Sequence, residues 1–163
     1  FTGAILLWTA FTLTGIKISS LLKKRVLILE ETIVLLRSLE AEINFARSDI
    51  RKILNKFSNE SSMRNLRFLN IFSDCNENAD FHLLWHNTVS SFPFYKRDEK
   101  FKLLQLGSFL GTTDAVSQIK AINLYESFFD NYLKNAMADN DKYGKAASLF
   151  GMFFGASVFI III

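Results

Sequence analysis

Proline and glycine are scarce in this sequence. A single proline, Pro93, and seven glycines occur among the 163 residues. Both residue types interrupt helices, so their scarcity favours long helical segments. No segment shows the sustained alternation of apolar and polar residues that is typical of strands, which argues against a β fold. The sequence therefore predicts an all-α protein whose charged part is an antiparallel helical bundle.

Cysteine and histidine are scarce too. Cys75 is the only cysteine, so the chain cannot form an internal disulfide. His82 and His86 have the spacing of a zinc metalloprotease helix, but Leu83 stands where the general-base glutamate should follow, and no third ligand is evident. The simpler interpretation is two boundary histidines that flank a core tryptophan, Trp85. We therefore expect no catalytic residue, no metal and no cofactor, and a membrane-anchored hydrolase is the weakest alternative.

Charge is absent from both ends of the chain. All 19 basic and 16 acidic residues lie between Lys17 and Lys145, and the flanking segments are mostly apolar. An apolar helix of about 18 residues spans about 27 Å, close to the about 30 Å hydrocarbon core of a bilayer. Since the chain starts at Phe1, we expect the first span to be truncated. The predicted division is a transmembrane helix at 1–19, a cytoplasmic bundle at 20–145 and a transmembrane helix at 146–163.

Basic residues flank both apolar ends on the side of the charged body. Lys23, Lys24 and Arg25 follow the first end, and Lys142 and Lys145 precede the second. Since cytoplasmic flanks are enriched in lysine and arginine, both spans place the body in the cytoplasm. The net charge of +3 is too balanced to indicate nucleic-acid binding. The lipid bilayer is therefore an expected partner, and nucleic acid is not.

A seven-residue apolar repeat runs through the first charged segment. It predicts one amphipathic helix from about Ser20 to Phe57 with a coiled-coil-like seam. The LEAEI motif in this helix carries Glu40 and Glu42, whose side chains point apart because they are two residues apart. Both are partner-binding candidates. Glu40 could instead be a buried or half-buried carboxylate that pairs with an arginine such as Arg47 or Arg37, or that caps a neighbouring helix. A seam that pairs with itself would instead make a dimeric adaptor or sensor. The seam residues are Leu22, Leu29, Leu36, Ile43, Ile50 and Phe57.

The stretch LGSFLGTTDAVSQIKAI, at 106–122, looks at first like a phosphate-binding loop. Gly107 and Gly111 are separated by three residues rather than four, no lysine follows, and no strand precedes them. Gly111 instead fits a helix end with positive φ, and Thr113 or Asp114 fits the cap of the next helix. Gly107 would permit close contact between helices. We therefore predict a structural corner made by Gly107, Gly111 and Asp114.

The C-terminal apolar end contains a GMFFG motif. Gly151 and Gly155 have the spacing that lets another membrane helix approach closely. The approaching helix could be the first span of the same chain or a span of another membrane subunit. The sequence leaves both possibilities open.

In the order and spacing of its motifs, the chain resembles the stage III sporulation protein AB family of endospore-forming bacteria. The resemblance includes both apolar ends, the LEAEI motif and the basic stretch before the last span. Asp49 departs from the family by standing where proline is common, and Leu106 stands where an aromatic residue often precedes the glycine. The LGxxLGxxD…Q block matches at Gly107, Leu110, Gly111, Asp114 and Gln118.

This resemblance implies a protein of the outer forespore membrane whose body faces the mother-cell cytoplasm. The body would be similar to the helical domain of the type II secretion platform protein, which implies a secretion-type ATPase and other channel membrane subunits as partners. We therefore expect a non-enzymatic scaffold of the mother cell–forespore channel, needed for endospore formation. The expected partner-binding residues are Glu40, Glu42 and Gln118.

Overall fold

The structure, a computed structural model, describes residues 2–46, 49–74 and 79–144, together with Ala146, Leu149 and Phe153. These residues form helices and turns without a strand, which confirms the all-α fold class. Two 3₁₀ turns lie between α2 and α3, at Ser61–Met63 and Arg67–Asn70, and a π-helical turn follows α6 at Asn140–Gly144. The helices are α1 (Thr2–Ala46), α2 (Ile50–Ser58), α3 (Ile71–Asp74), α4 (Phe81–Ser91), α5 (Arg97–Phe109) and α6 (Ala115–Asp139).

The chain divides into two compact units. The body unit comprises residues 28–132 and contains α2 to α5 with parts of α1 and α6. The terminal unit comprises residues 1–27 and 133–163. The candidate functional residues that the structure describes all belong to the body unit.

The two predicted transmembrane helices stay predictions. The first, at 1–19, falls within α1. The second, at 146–163, lies outside the described residues except at three positions, and Gly151 and Gly155 are not among those three. Among the helices that the structure describes, none combines the length and the apolar character needed to cross a membrane.

The helix predicted from Ser20 to Phe57 is interrupted, and this prediction was wrong. A new helix, α2, begins at Ile50 after Asp49. Asp49 has ψ 131°, and its Oδ1 accepts a hydrogen bond of 2.9 Å from the backbone N–H of Arg51. An N-cap aspartate satisfies one of the amides that have no partner within the helix. The apolar repeat hides this break, because Ile43 and Ile50 keep the seven-residue spacing although they lie on different helices.

The predicted seam packs against the chain's own helices. Its members in the body unit are buried in the core, and none of them is more than 8% exposed. A surface already covered in this way cannot pair with a second copy of the same fold. The structure therefore does not support the adaptor or sensor alternative that depended on seam pairing. The buried seam residues are Leu29, Leu36, Ile43, Ile50 and Phe57.

Within the body unit, α1 and α6 run antiparallel. Arg37 Nε donates to Glu126 Oε1 at 2.6 Å, and Asn123 Nδ2 donates to Glu40 Oε1 at 3.1 Å. The partner's number falls by three as the α1 residue's number rises by three, as antiparallel helices require. Polar contacts at the surface thus join the first and last helices of the unit.

The body unit has two ends that the later subsections use. The corner end is defined by Gly111, between α5 and α6. The basal end is defined by the start of α5, where the Tyr95 and Thr32 hydroxyls lie 2.6 Å apart and the Tyr132 hydroxyl donates to Asp98. These contacts place the start of α5 beside the points at which α1 enters the unit and α6 leaves it.

Aromatic rings fill the core beside α4. The ring of Phe68 meets those of Trp85, Phe92 and Tyr95 edge-on, with centroids 5.3 to 6.2 Å apart. Such pairs contribute about 0.5–1.5 kcal/mol each beyond the burial of their area. The cluster therefore fixes how the turn before α3 packs against α4 and the loop that follows it.

Candidate functional site

The corner between α5 and α6 is closed by hydrogen bonds within 111–118. Gly111 has φ +77°, a backbone conformation that glycine adopts at little cost because it has no Cβ. Its backbone N–H donates to Gln118 Oε1 at 3.2 Å, and Gln118 Nε2 donates to Thr113 O at 2.6 Å. The Gln118 amide thus holds the glycine in its turn. Gln118, which was predicted to bind a partner, therefore stabilises the corner in this structure.

Asp114 caps the start of α6. Its Oδ1 accepts from the Ser117 backbone N–H at 3.0 Å, and its Oδ2 accepts from the Ser117 hydroxyl at 2.6 Å. The hydroxyl contact first, and the backbone contact second, lower the pKa of Asp114 below its usual value. The ionised carboxylate is therefore the form that stabilises the start of this helix.

Gly107 lies against the buried ring of Trp85. A Cβ at this position would lie 2.2 Å from Trp85 Cδ1 and 2.4 Å from Nε1. The indole N–H donates to Leu103 O at 2.8 Å, which holds the ring against α5. His82 Nδ1 lies 3.1 Å from Gly107 O on the same side. Helices α4 and α5 therefore meet here without room for a side chain on Gly107.

The two histidines lie at the edge of this contact. His82 and His86 are exposed and line a cleft of about 360 Å³, whereas Trp85 between them is 1% exposed. The interpretation of boundary histidines that flank a core tryptophan is confirmed. In the part of the chain that the structure describes, no three or more His, Cys, Asp or Glu side chains are grouped to hold a metal ion.

Glu40 and Glu42 contact different neighbouring helices. Glu40 accepts from Asn123 of α6, and Glu42 forms an ion pair with Lys56 of α2. Two residues turn a helix by about 200°, which explains why the carboxylates face different helices. The hydrogen bond with Glu42 first, and its charge second, raise the pKa of Lys56. The three predicted partner-binding residues therefore have different surroundings. Glu40 contacts α6, Glu42 contacts α2, and Gln118 lies at the corner between α5 and α6.

Sequence reasoning missed a third carboxylate on α1. The two oxygens of Glu31 accept from the backbone N–H of Asn65 at 2.7 Å and from its Nδ2 at 2.6 Å. This double contact ties the segment between the two 3₁₀ turns to α1. The two residues are 34 positions apart in sequence, so no local spacing indicates that they meet.

A cleft of about 510 Å³ opens at the corner end. The first residues of α2, α4 and α6 line it, and its apolar lining includes Ile43 and Leu110. Two of its acids are helix caps, since Asp80 accepts from the His82 backbone N–H at 2.9 Å just as Asp49 does from Arg51. Mixed polar and apolar linings suit protein side chains, so this cleft is a candidate contact surface. Its polar lining is Asp49, Arg51, Asp80, His82 and Gln118.

Comparison with known proteins gives one finding. The model of the family described as stage III sporulation protein AB matches residues 1–163, which is the whole chain. The family resemblance inferred from the sequence motifs is thereby confirmed. No curated protein and no solved structure matches the chain.

Proposed function

The chain belongs to the stage III sporulation protein AB family, and from that premise we propose that it is a non-enzymatic membrane scaffold of the mother cell–forespore channel. The family match carries this proposal, because it covers residues 1–163 rather than one motif and so supports a role in sporulation. In the proposal, the body unit faces the mother-cell cytoplasm at the outer forespore membrane and docks a secretion-type ATPase. The apolar ends pack with lipid and with other channel membrane subunits.

Exposed apolar side chains of the terminal unit support the membrane location. Leu13 is 65% exposed, Ile16 is 52% exposed and Phe153 is 67% exposed. Single exposed apolar residues are ordinary on a protein surface, but closely spaced sets mark contact with lipid or with another protein. All three side chains lie within the predicted transmembrane segments. A lipid environment would bury them without requiring a soluble partner.

The acids of α1 remain the proposed docking residues for the ATPase. Their intramolecular contacts mean that simple charge reversal changes two things, the surface charge and the contact with α2 or α6. Glu40→Gln removes the charge but keeps an oxygen that can accept from Asn123. The exchange Glu42→Lys with Lys56→Glu restores an ion pair and reverses its direction. These two variants separate recognition of the carboxylates from damage to the fold.

Co-purification from sporulating cells tests the docking proposal. We expect both variants to retain less of the ATPase than the unaltered chain while their thermal unfolding stays close to it. Glu60→Gln, which neutralises a half-buried acid outside α1, is the matched control and should retain the ATPase. If both variants kept the ATPase in full with an intact fold, docking through Glu40 and Glu42 would be wrong.

The non-enzymatic part of the proposal has its own test. A hydrolase that used His82 and His86 would need a tightly held metal ion. Elemental analysis of the purified full chain should therefore find no near-stoichiometric zinc. A chain that carried about one zinc per molecule, and lost it in the His82→Ala variant, would revive the hydrolase alternative.

A further inference from the structure

We propose that the basal end of the body unit carries a binding surface for anionic lipid headgroups. The surface consists of the cations of Lys96 and Arg97 and the exposed ring of Phe101. This inference rests on the proposed membrane location and adds to it a second contact with the bilayer. The body itself makes this contact, whereas the apolar ends make the first.

The position of α5 in the body unit is the first step. The Tyr95 hydroxyl lies 2.6 Å from Thr32 of α1, and the Tyr132 hydroxyl donates to Asp98. The rings of Tyr95 and Phe129 are 6.3 Å apart between centroids. The loop before α5 and its first turn therefore lie beside the two points where the chain continues toward its apolar ends.

The charges on this surface are the second step. Lys96 and Arg97 are exposed, and within the described part of the chain neither cationic group has an ionic or hydrogen-bonding partner. The nearby Lys100 differs, because its Nζ donates to Ser90 O at 2.6 Å, at the end of α4. Glu99 is 1% exposed and accepts from the Lys96 backbone N–H at 2.7 Å, so it is turned inward. Two cations are thus left to face outward.

The exposed aromatic ring is the third step. Phe101 is 55% exposed and borders a groove of about 740 Å³ that Arg97 also lines. Asp98 lies in the same groove, but its carboxylate accepts the hydroxyl of Tyr132. Lysine and arginine are attracted to anionic lipid surfaces, and aromatic rings settle at the level of the headgroups. Arg97 beside the exposed ring of Phe101, with Lys96 as its neighbour in the chain, therefore fits a lipid surface of negative charge.

Amide hydrogen exchange of the full chain in lipid nanodiscs tests the proposal. One preparation contains phosphatidylcholine alone, and the other is an equal mixture of phosphatidylcholine and phosphatidylglycerol. Each cation near an anionic lipid surface raises the equilibrium constant for contact about fivefold. With two cations, we expect amide exchange in residues 92–101 to slow by up to about 25-fold in the mixed discs. Exchange in residues 109–118, at the corner end, should be the same in both. High salt should reduce the difference, because it screens exposed charges.

Variants at the two cations make the test specific. Lys96→Gln with Arg97→Gln should abolish the effect of phosphatidylglycerol, while its exchange in phosphatidylcholine discs shows that the fold is kept. Lys120→Gln, which removes another exposed lysine on α6, is the matched control and should preserve the effect. Equal exchange in both discs, or an effect that survives the double substitution, would overturn the lipid surface. If the chain failed to enter either disc, the membrane location itself would be contradicted and this inference with it.

Discussion

Replacing Gly107 with alanine should destabilise the protein, although alanine is the better helix former. In an open helix this change would gain up to about 1 kcal/mol. Here the new methyl group would lie 2.2 Å from Trp85 Cδ1, where carbon atoms in contact keep about 3.5–4.0 Å. The indole must therefore move by more than 1 Å inside a packed core. Helix propensity alone predicts a change in stability of the opposite sign, with Gly107→Ala more stable than the unaltered chain.

The expected cost follows from the position of the indole. Overpacking a core typically costs about 1–3 kcal/mol. Moving the ring also weakens its 2.8 Å hydrogen bond to Leu103, which is worth about 1 kcal/mol. After subtraction of the gain in helix propensity, the net loss for Gly107→Ala is about 1–3 kcal/mol. For a chain of this size, a loss of about 2 kcal/mol lowers the melting temperature by about 4–8 °C.

Circular dichroism melting of the purified full chain is the assay, with two comparisons. Gly111→Ala is the matched control, since a Cβ there would lie 3.4 Å from Ile50 Cγ2 and would incur mainly the cost of positive φ, about 1–2 kcal/mol. The two expected losses overlap, so the control separates the two causes by its response to replacement of Trp85 and not by its melting temperature. Gly111→Ala should keep its full effect when Trp85 is replaced. In a Trp85→Leu background, where the side chain can rotate away, Gly107→Ala should lose most of its effect. A Gly107→Ala protein that melted at or above the unaltered temperature would refute the proposed contact.

Three further predictions concern hydrogen bonds. Asp114→Ala should lower the urea midpoint of unfolding at neutral pH, and it should lower this midpoint less at about pH 3. The pKa of Asp114 is lowered on folding, so the stability that its carboxylate contributes is lost as pH falls below the ordinary value of about 3.9. Glu31→Ala should cost about 1.5–3 kcal/mol in urea unfolding, and Asn65→Ala should cost less because its backbone N–H remains a donor. Burial first, and Asp98 second, raise the pKa of Tyr132 to about 12. Stability should therefore fall as pH rises above the ordinary tyrosine value of about 10, and less so in Tyr132→Phe.

Each of these predictions has a distinct contrary outcome. An Asp114→Ala difference that stayed constant across the acid range would mean that the carboxylate's charge does not stabilise the helix. Equal losses at Glu31 and Asn65 would mean that the backbone contact contributes nothing. Identical alkaline unfolding of Tyr132→Phe and the unaltered chain would assign the alkaline loss to other groups.

The sequence predicts the parts of the fold whose causes are local. Helix α4 begins after Asp80, whose side chain caps it, and Pro93 falls in the loop before α5. Gly111 and Asp114 mark the corner because a positive φ and an N-cap each favour particular residue types. In all these cases, the residue and the structural feature that it causes lie within a few positions of each other.

The break before α2 shows how a repeating pattern can mislead. An apolar repeat reports which face is buried, and a new helix in the same register keeps that face buried. The only local signal was Asp49, because aspartate favours the N-cap of a helix, where its side chain accepts from a backbone N–H.

The candidate site depends on contacts that no local pattern encodes. Glu40 and Asn123 are 83 positions apart, and Glu31 and Asn65 are 34 positions apart. Whether such residues meet depends on the packing of the whole bundle. The sequence could place carboxylates on α1 and separate the directions of Glu40 and Glu42, but it could not name their neighbours.

The intramolecular contacts of Glu40, Glu42 and Gln118 determine how readily each side chain can bind a partner instead. A partner could replace Asn123 beside Glu40, or Lys56 beside Glu42, at small cost, because exposed polar pairs contribute little to stability. Gln118 is different, since its amide accepts from Gly111 and donates to Thr113. A partner that engaged this amide would remove support from a turn with positive φ. Docking should therefore depend on the α1 acids first, and substitution of Gln118 should reduce stability before it reduces binding.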